Sequence, residues 1–340
     1  MFKLYENIYQ ILSKKYWFKE LPQKRYQDVL LQHDFEFSKR AKDWLLYIPH
    51  YGSTMNEELT SVVNADNRFV MGVYGSGALT RRKGVWVNLV RKFGRKKAKQ
   101  IMPDTYVLSF EQDIKKLSEF PKNQSFILKS QLHRRQGLKI VTGFDELNMF
   151  KEDYVIAQPL ILDLYQFKQV SFNIRVYLLL TLNKGALQGH LFYDGNCIYA
   201  IPKTEEEDIY KNRVTNGVNE VPDGFPFLMS ELLEIEKIDY QQFFSNLAIK
   251  VNSLLQSAAP HFGAISNLNE AYCFQVLGVD VLVDANKKPL ICEINKGPGM
   301  KARNKASNDL KNEMLKDALS IVGLTQEKNE GFFKVFEENL

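Results

Sequence analysis

The stretch from Cys273 to Met300, CFQVLGVDVLVDANKKPLICEINKGPGM, restricts the fold more than any other part of the chain. Val279–Val283 and Leu290–Ile294 read as two apolar strands, with the polar run Asp284–Pro289 as the turn between them. A hairpin closed symmetrically about that turn sets Val283 opposite Leu290 and Asp280 opposite Glu293. Two carboxylates facing across a ladder repel each other. A chain tolerates that where something positive sits between them, and Mg²⁺ takes oxygen ligands. Asn295, two residues past Glu293, shares its face of the strand and supplies a third oxygen. The three residues read as a metal–nucleotide site. The competing reading is an exposed hairpin face carrying ordinary charges. The apolar neighbours Val279, Val281, Ile291 and Ile294 argue against a fully solvated hairpin.

A chain of 340 residues can hold two or three subdomains and bury a large core. Its 45% apolar and 25% charged content is ordinary for a globular protein, so composition alone excludes neither enzyme nor binding module. Cys197, Cys273 and Cys292 are too few for a disulfide framework and lack zinc-ligand spacing, which points to a reducing, cytoplasmic setting. The opening MFKLYENIYQILSKKYWF breaks its apolar residues with charges and does not read as a signal peptide. The apolar run near Val176–Leu182 is too short to span a bilayer, so a soluble protein without a membrane partner is expected.

Net charge is +5, unevenly spread: nine basic residues and no acidic one lie between Arg81 and Lys99. Such a segment attracts a polyanion, whether ATP phosphates, an acidic peptide or nucleic acid. A solvated helix face explains most of the nine equally well. No RNA-binding or helix-turn-helix signature accompanies them, which disfavours nucleic acid.

Along the chain, the first 40 residues read as helix and loop, and Trp44–Pro49 as a strand ended by proline. Asn56–Val63 and Lys83–Lys99 have helical spacing; Phe69–Tyr74, Thr105–Ser109, Phe126–Leu128, Leu138–Val141, Tyr154–Ile156 and Phe172–Thr181 read as strands. Leu187–Tyr193 and Cys197–Ala200 flank Asp194-Gly195-Asn196, a hairpin turn by composition. Residues 203–225 read as loop. Asp239–Ala259 and Asp309–Val322 read as helices, the second capped by Ser307 or Asn308 and stopped by Gly323. Residues 325–340 read as a charged tail. The order is α+β.

Lys129 ends an apolar strand and precedes the basic loop SQLHRRQG, whose Gly137 lets it fold over a phosphate; no Walker lysine is present. Arg175, inside an apolar strand, needs an anionic partner. A salt bridge to Asp280 or Glu293 satisfies that need, and so does a γ-phosphate, the favoured reading. Lys168 and Asn173 lie close enough in sequence to reach the same place. His133 and His190 read as core or loop histidines, and no Ser-His-Asp or Cys-His set stands out.

The order of these features resembles the tubulin–tyrosine ligase-like family, over about Trp44 to Gly323. LGVDVLVDANKKPLICEINKGPG resembles its metal hairpin, which implies that Asp280, Glu293 and Asn295 hold Mg²⁺ and the ATP phosphates. FNIRVYLLL is similar to the strand with a phosphate-contacting arginine, here Arg175; Asn173 stands where many members have an Asp near the ribose, and Ser171 where they have a lysine, for which Lys168 can compensate. TRRKGVWVNL resembles a motif whose lysine reaches phosphate, carried to Lys83, and MPDTYVLS the strand entering the central subdomain. ILKSQLHRRQGLKIV is similar to the central nucleotide loop, giving Lys129 and Gly137; the loop is a residue short, with Arg135 near the place of a second glycine. YVIAQPLI resembles the adenine hinge, giving Gln158 and Leu160, and VTNGVN the Thr-Asn element, giving Thr215 and Asn216.

The resemblance implies an ATP-grasp fold with an N-terminal subdomain (1–105), a small central one (106–162), a larger C-terminal one (163–325) around a nucleotide cleft, and a tail (326–340). It implies an ATP- and Mg²⁺-dependent ligase that adds an amino acid to a protein or peptide carboxylate through an acylphosphate. Arg175, Glu293 and Asn295 are then catalytic, and the basic surround, with Arg134 and Arg135, favours an acidic acceptor. Members acting on tubulin tails often carry an arginine near the place of Ile198, so a tubulin tail stays among the acceptors but is disfavoured. The rival readings are a nucleotide- or polyanion-binding module without ligase turnover, and a ligase of a small amino acid or short peptide.

Overall fold

The computed structural model describes residues 14–52, 54–131, 137–200, 223–263, 265–302, 304–328 and 330–340. The front of the chain alternates short strands and helices: β1 (Lys15–Phe18), α1 (Lys24–Gln32), β2 (Glu36–Phe37), β3 (Leu46–Ile48), α2 (Met55–Thr60) and β4 (Phe69–Val70). Parallel pairing joins β1 to β2 and β3, and β3 to β4. The strand β1 corrects the expectation of helix and loop over the first 40 residues. Its Lys15-Tyr-Trp-Phe run is rich in residues that suit a half-buried pleated surface, but four residues are too few to display a period.

Next come α3 (Gly77–Thr80) and α4 (Arg82–Ile101), the latter kinked at Gly94, whose φ of 76° an L side chain adopts only with strain. Then β5 (Tyr106–Val107), α5 (Glu111–Ser118), β6 (Ser125–Lys129), β7 (Leu138–Thr142), α6 (Gly143–Phe150) and β8 (Ile156–Pro159) form a separate layer. Its four strands pair antiparallel in the order β5-β8-β6-β7, over a small core that includes Leu117, Phe126, Leu128 and Leu147.

The rest is β9 (Gln166–Phe167), β10 (Val170–Asn183), β11 (Ala186–Tyr199), α7 (Met229–Ile235), α8 (Tyr240–Ala258), β12 (Tyr272–Val283), β13 (Pro289–Asn295), α9 (Lys305–Ile321) and β14 (Phe332–Asn339). One sheet runs β14-β11-β10-β12-β4-β3-β1-β2, with β13 added to β12 and β9 to β10. The front strands therefore continue the sheet of the back half, through parallel pairing of β4 with β12. β10 is buried on both faces, which is why it reads as a nearly unbroken apolar run. Ile174, Val176, Leu178 and Leu180 share a core with Phe243, Leu247 and Val251 of α8. Tyr177 and Leu179 share the opposite core with Met314, Leu315 and Ala318 of α9.

Two expectations fail here. Asp194-Gly195-Asn196 is no turn: β11 continues through it, with a shift in its register against β10 between Leu191 and Gly195, and the β10–β11 turn lies at Lys184-Gly185, both with positive φ (48° and 82°). Gly195 is required by a close approach, since a Cβ there would lie 2.5 Å from the Arg175 carbonyl oxygen. Asp194 accepts hydrogen bonds from the Ser230 N–H (3.0 Å) and hydroxyl (2.6 Å) and so anchors α7. Nor is the C-terminus a tail. β14 pairs antiparallel with β11 and buries Phe332 and Phe336. Its outward Lys334, Glu337 and Glu338 made it read as tail, yet charges of this kind protect a sheet edge from further pairing. Smaller shifts occur at α9, which begins at Lys305, with Asn304 as the cap accepting from the Ser307 N–H at 2.8 Å.

If β14 is an integral strand, Phe336→Ala should cost about 3 kcal/mol of unfolding free energy through loss of a buried aromatic. Urea denaturation measures it, and an unchanged midpoint would show that the strand contributes no core.

Candidate functional site

Register places the site. Arg175 of β10 faces Asp280 of β12, and Asp280 faces Glu293 of β13, the expected pairing of carboxylates. Val283, however, faces Pro289 and not Leu290. The turn is one residue shorter than a symmetric closure requires, and the register shift between Asp280 and Val281 restores the count, with Cys292 as the extra residue of a bulge. The two departures cancel at the carboxylates. Asn295 faces Gly278, and a Cβ on Gly278 would lie 2.9 Å from Pro298 Cβ and 3.4 Å from Arg175 Cδ. The glycine leaves room for the arginine to lie across the strand.

The side chains form one network. Arg175 donates from Nε to Asp280 Oδ1 and from Nη2 to Oδ2, each at 2.7 Å. Of the two readings of Arg175, the salt bridge is the contact present. Asn295 Nδ2 donates to Asp280 Oδ2 (3.0 Å) and, more weakly, to Glu293 Oε1 (3.5 Å). Arg82, at the start of α4, donates to Glu293 Oε2 (3.2 Å) and to the Ser130 carbonyl (2.7 Å). The Lys129 ammonium lies 3.7 Å from Cys292 Sγ. Two carboxylates thus sit among three cations drawn from α4, β6 and β10.

The acids respond oppositely to this setting. Burial pushes the Asp280 carboxyl up, and Arg175 offsets that only in part. Burial also pushes Glu293 up, but Lys129 and Arg82 outweigh it and hold its pKa below the usual range. Burial alone would lower the Arg175 pKa, yet Asp280 raises it above the ordinary arginine value.

The other predicted residues divide. Lys83 turns away from the carboxylates: its Nζ donates to Ser109 Oγ (2.9 Å) and lies over the Phe110 ring. Arg82 reaches the hairpin instead, because consecutive helical residues point about 100° apart and only one of the two can face it. Gly137 is buried next to Lys129's strand, its carbonyl accepting from the Ser130 N–H (2.8 Å). Gln158 is buried and donates to Thr105 Oγ1 (2.7 Å), and the Leu160 N–H donates to the Ser125 carbonyl (2.9 Å). Asn173 lies opposite Ile198, two residues from Arg175, 6% exposed, with Oδ1 lacking a partner among the described residues. Lys168 donates to the Gly224 carbonyl and is not joined to the network by any contact described. His190 is a buried strand residue whose pKa is lowered to about 4, by burial and then by Lys334. His133, Arg134, Arg135, Thr215 and Asn216 lie outside the described residues. Arg82, Gly278 and Cys292 were not singled out from the sequence; only the basic run hinted at the first.

Among the described residues no group of three or more His, Cys, Asp and Glu side chains could hold a metal. Two carboxylates and an amide nevertheless suit Mg²⁺, which keeps water ligands and uses one or two carboxylates beside substrate phosphates. The buried, unpartnered Asn173 oxygen beside Arg175 is a further polar group that a bound ligand could satisfy. Among the described residues, no helix is long and apolar enough to cross a membrane.

The tubulin-tyrosine ligase family matches residues 206–330, which include the carboxylate hairpin. Human tubulin polyglutamylase TTLL7 is 26% identical over 263 residues, 69% of this chain and 29% of that protein. A probable beta-tubulin polyglutamylase of Tetrahymena thermophila is 24% identical over 264 residues, 68% of this chain and 22% of its own length. Mouse tubulin monoglutamylase TTLL4 is 22% identical over 320 residues, 85% of this chain and 26% of its own length. These matches support a tubulin–tyrosine ligase-like assignment for the chain. It spans less than a third of the length of these relatives.

The lowered Glu293 pKa has a sign in stability. Its carboxylate contributes stability that is fully present above the unfolded value, about 4.3, and is lost as pH falls through the lower folded value. Asp280, raised by burial, acts in the opposite sense: acidification relieves its cost. Melting temperature followed from about pH 5 to about pH 3 should therefore fall less steeply in Glu293→Gln than in the unmodified chain. Parallel curves would mean that the interaction of Glu293 with Lys129 and Arg82 does not carry this dependence.

Proposed function

We propose that the chain is an ATP-dependent carboxylate–amine ligase that adds an amino acid to the carboxylate of a protein or peptide. The observation that carries this reading is the convergence of Asp280, Glu293 and Asn295 within a ring of Arg82, Lys129 and Arg175. Mg²⁺, held by the two carboxylates and the Asn295 amide oxygen after that amide turns, would neutralise charge on the β- and γ-phosphoryl oxygens of ATP. Arg82, Lys129 and Arg175 would neutralise the remainder, which suits a transfer whose catalysis is mostly positioning and electrostatics. The reaction moves the γ-phosphoryl group to the acceptor carboxylate, releasing ADP. The amine then displaces phosphate from the acyl carbon, and an amide forms. An amine arriving uncharged needs no histidine base, and among the described residues none stands in the network.

Relatives named as polyglutamylases and monoglutamylases support glutamate as the added amino acid and an acidic protein as acceptor. The exposed Arg81, Arg91, Lys92, Lys96 and Lys97 are a suitable surface for such an acceptor. Ile198, apolar and buried, gives no support to tubulin in particular. A second reading, a nucleotide-binding module without turnover, is favoured by one observation: both carboxylates are already paired with arginines.

With Mg·ATP, glutamate and a glutamate-rich peptide, ADP release should fall at least about a hundredfold in Glu293→Gln. Calorimetry on the same proteins separates the readings. Mg·ATP binding without ADP release by the unmodified chain favours the module, and turnover by Glu293→Gln at the unmodified rate sinks the ligase.

A further inference from the structure

We propose that Gln23 and Arg25, on the opposite side of the chain's sequence from the hairpin, are positioning residues for the site, acting through the segment that follows Asn295. The inference rests on the ligase reading for its functional consequence. Residues 296–304 lie between β13 and α9, and the start of that segment fixes where Asn295 leaves the strand. Gln23 uses both ends of its amide on this segment. Its Nε2 donates to the Pro298 carbonyl (3.1 Å), and its Oε1 accepts from the Met300 N–H (2.7 Å). A side chain bonded this way replaces a residue of a paired strand, and the two bonds determine its orientation.

Arg25 continues the clamp. Its Nε donates to the Met300 carbonyl (2.7 Å), Nη1 to the Asn308 carbonyl (3.1 Å) and Asn312 Oδ1 (2.5 Å), and Nη2 to Asn308 Oδ1 (2.9 Å). No carboxylate is among these acceptors. The planar fork therefore serves as a brace joining α1, the connecting segment and the first turns of α9. Contacts close the route to the site. A Cβ on Gly297 would lie 2.8 Å from Tyr51 Cβ, and one on Gly278, as described, would meet both Pro298 and Arg175. Gln23 thus holds the carbonyl of a proline that packs beside the arginine paired with Asp280. A slack segment would let Pro298 retreat from Gly278, and Arg175 and Asn295 would lose their shared setting.

The test uses the full chain with Gln23→Ala, Arg25→Lys and a control, Gln27→Ala, whose amide reaches only the Pro22 carbonyl. Hydrogen exchange should quicken about tenfold at the amides of residues 295–302 in the first two variants. It should stay unchanged in α1 and β10, and everywhere in the control. For ADP release with Mg·ATP, glutamate and a glutamate-rich peptide, kcat should fall on the order of tenfold to a hundredfold while KM for ATP stays within about threefold. Exchange that rises throughout the chain, or matches the control, overturns the proposal, as does local quickening with unchanged kcat. Absence of ADP release by the unmodified chain overturns the ligase reading, and the exchange comparison still decides whether the clamp holds the segment.

Discussion

The pairing of Arg175 with Asp280 across β10 and β12 is the interaction on which the rest of the site depends. Each group is too deeply placed to stay charged alone, and the two-bond contact makes the pair tolerable. Its formation requires that two long strands be in the right register, because a slip of one residue turns each side chain to the other face. The double burial of β10 enforces that register: one row of apolar residues is committed to the α8 core and the alternate row to the α9 core. Packing across the middle of the molecule thus sets a charged contact near one end of the strand.

From this pair the network extends by short steps. Asn295 ties Asp280 to Glu293, and Glu293 brings in Arg82 from a helix and Lys129 from the smaller sheet. Three separate parts of the chain therefore contribute a cation to one acidic hairpin. Such a site is a poor stability device, since buried ion pairs recover little beyond their desolvation cost. It is a suitable one for binding a polyanion and a divalent cation, because the cation would pair with the carboxylates and the freed basic groups with the polyanion.

Much of this was legible in the chain. Asp280 opposite Glu293 followed from counting residues about a polar turn, although the count was right only because the shorter turn and the bulge at Cys292 offset each other. Arg175 declared itself as a charge inside an apolar strand. What was hidden depended on distances in space. Arg82 and Lys83 are equivalent in sequence, and only the phase of the helix separates them. Gly195 has the composition of a turn, but its role comes from a neighbouring carbonyl that no local pattern reveals. β14 was masked by its own solvent-facing charges. Gln23 and Arg25 offered no signal at all, because their partners are mostly backbone groups nearly the whole chain away.

The sheet that joins front and back has a consequence for how the protein is made. Phe69 and Val70 pair with β3 on one side and with Tyr272 and Cys273 on the other, so during synthesis that second edge of the front strands stays open until β12 has left the ribosome. A nascent intermediate with unpaired strands is a target for chaperones and for association with its neighbours. The yield of native protein in a cell should then be governed as much by the pace of translation through the middle of the chain as by the stability of the finished fold.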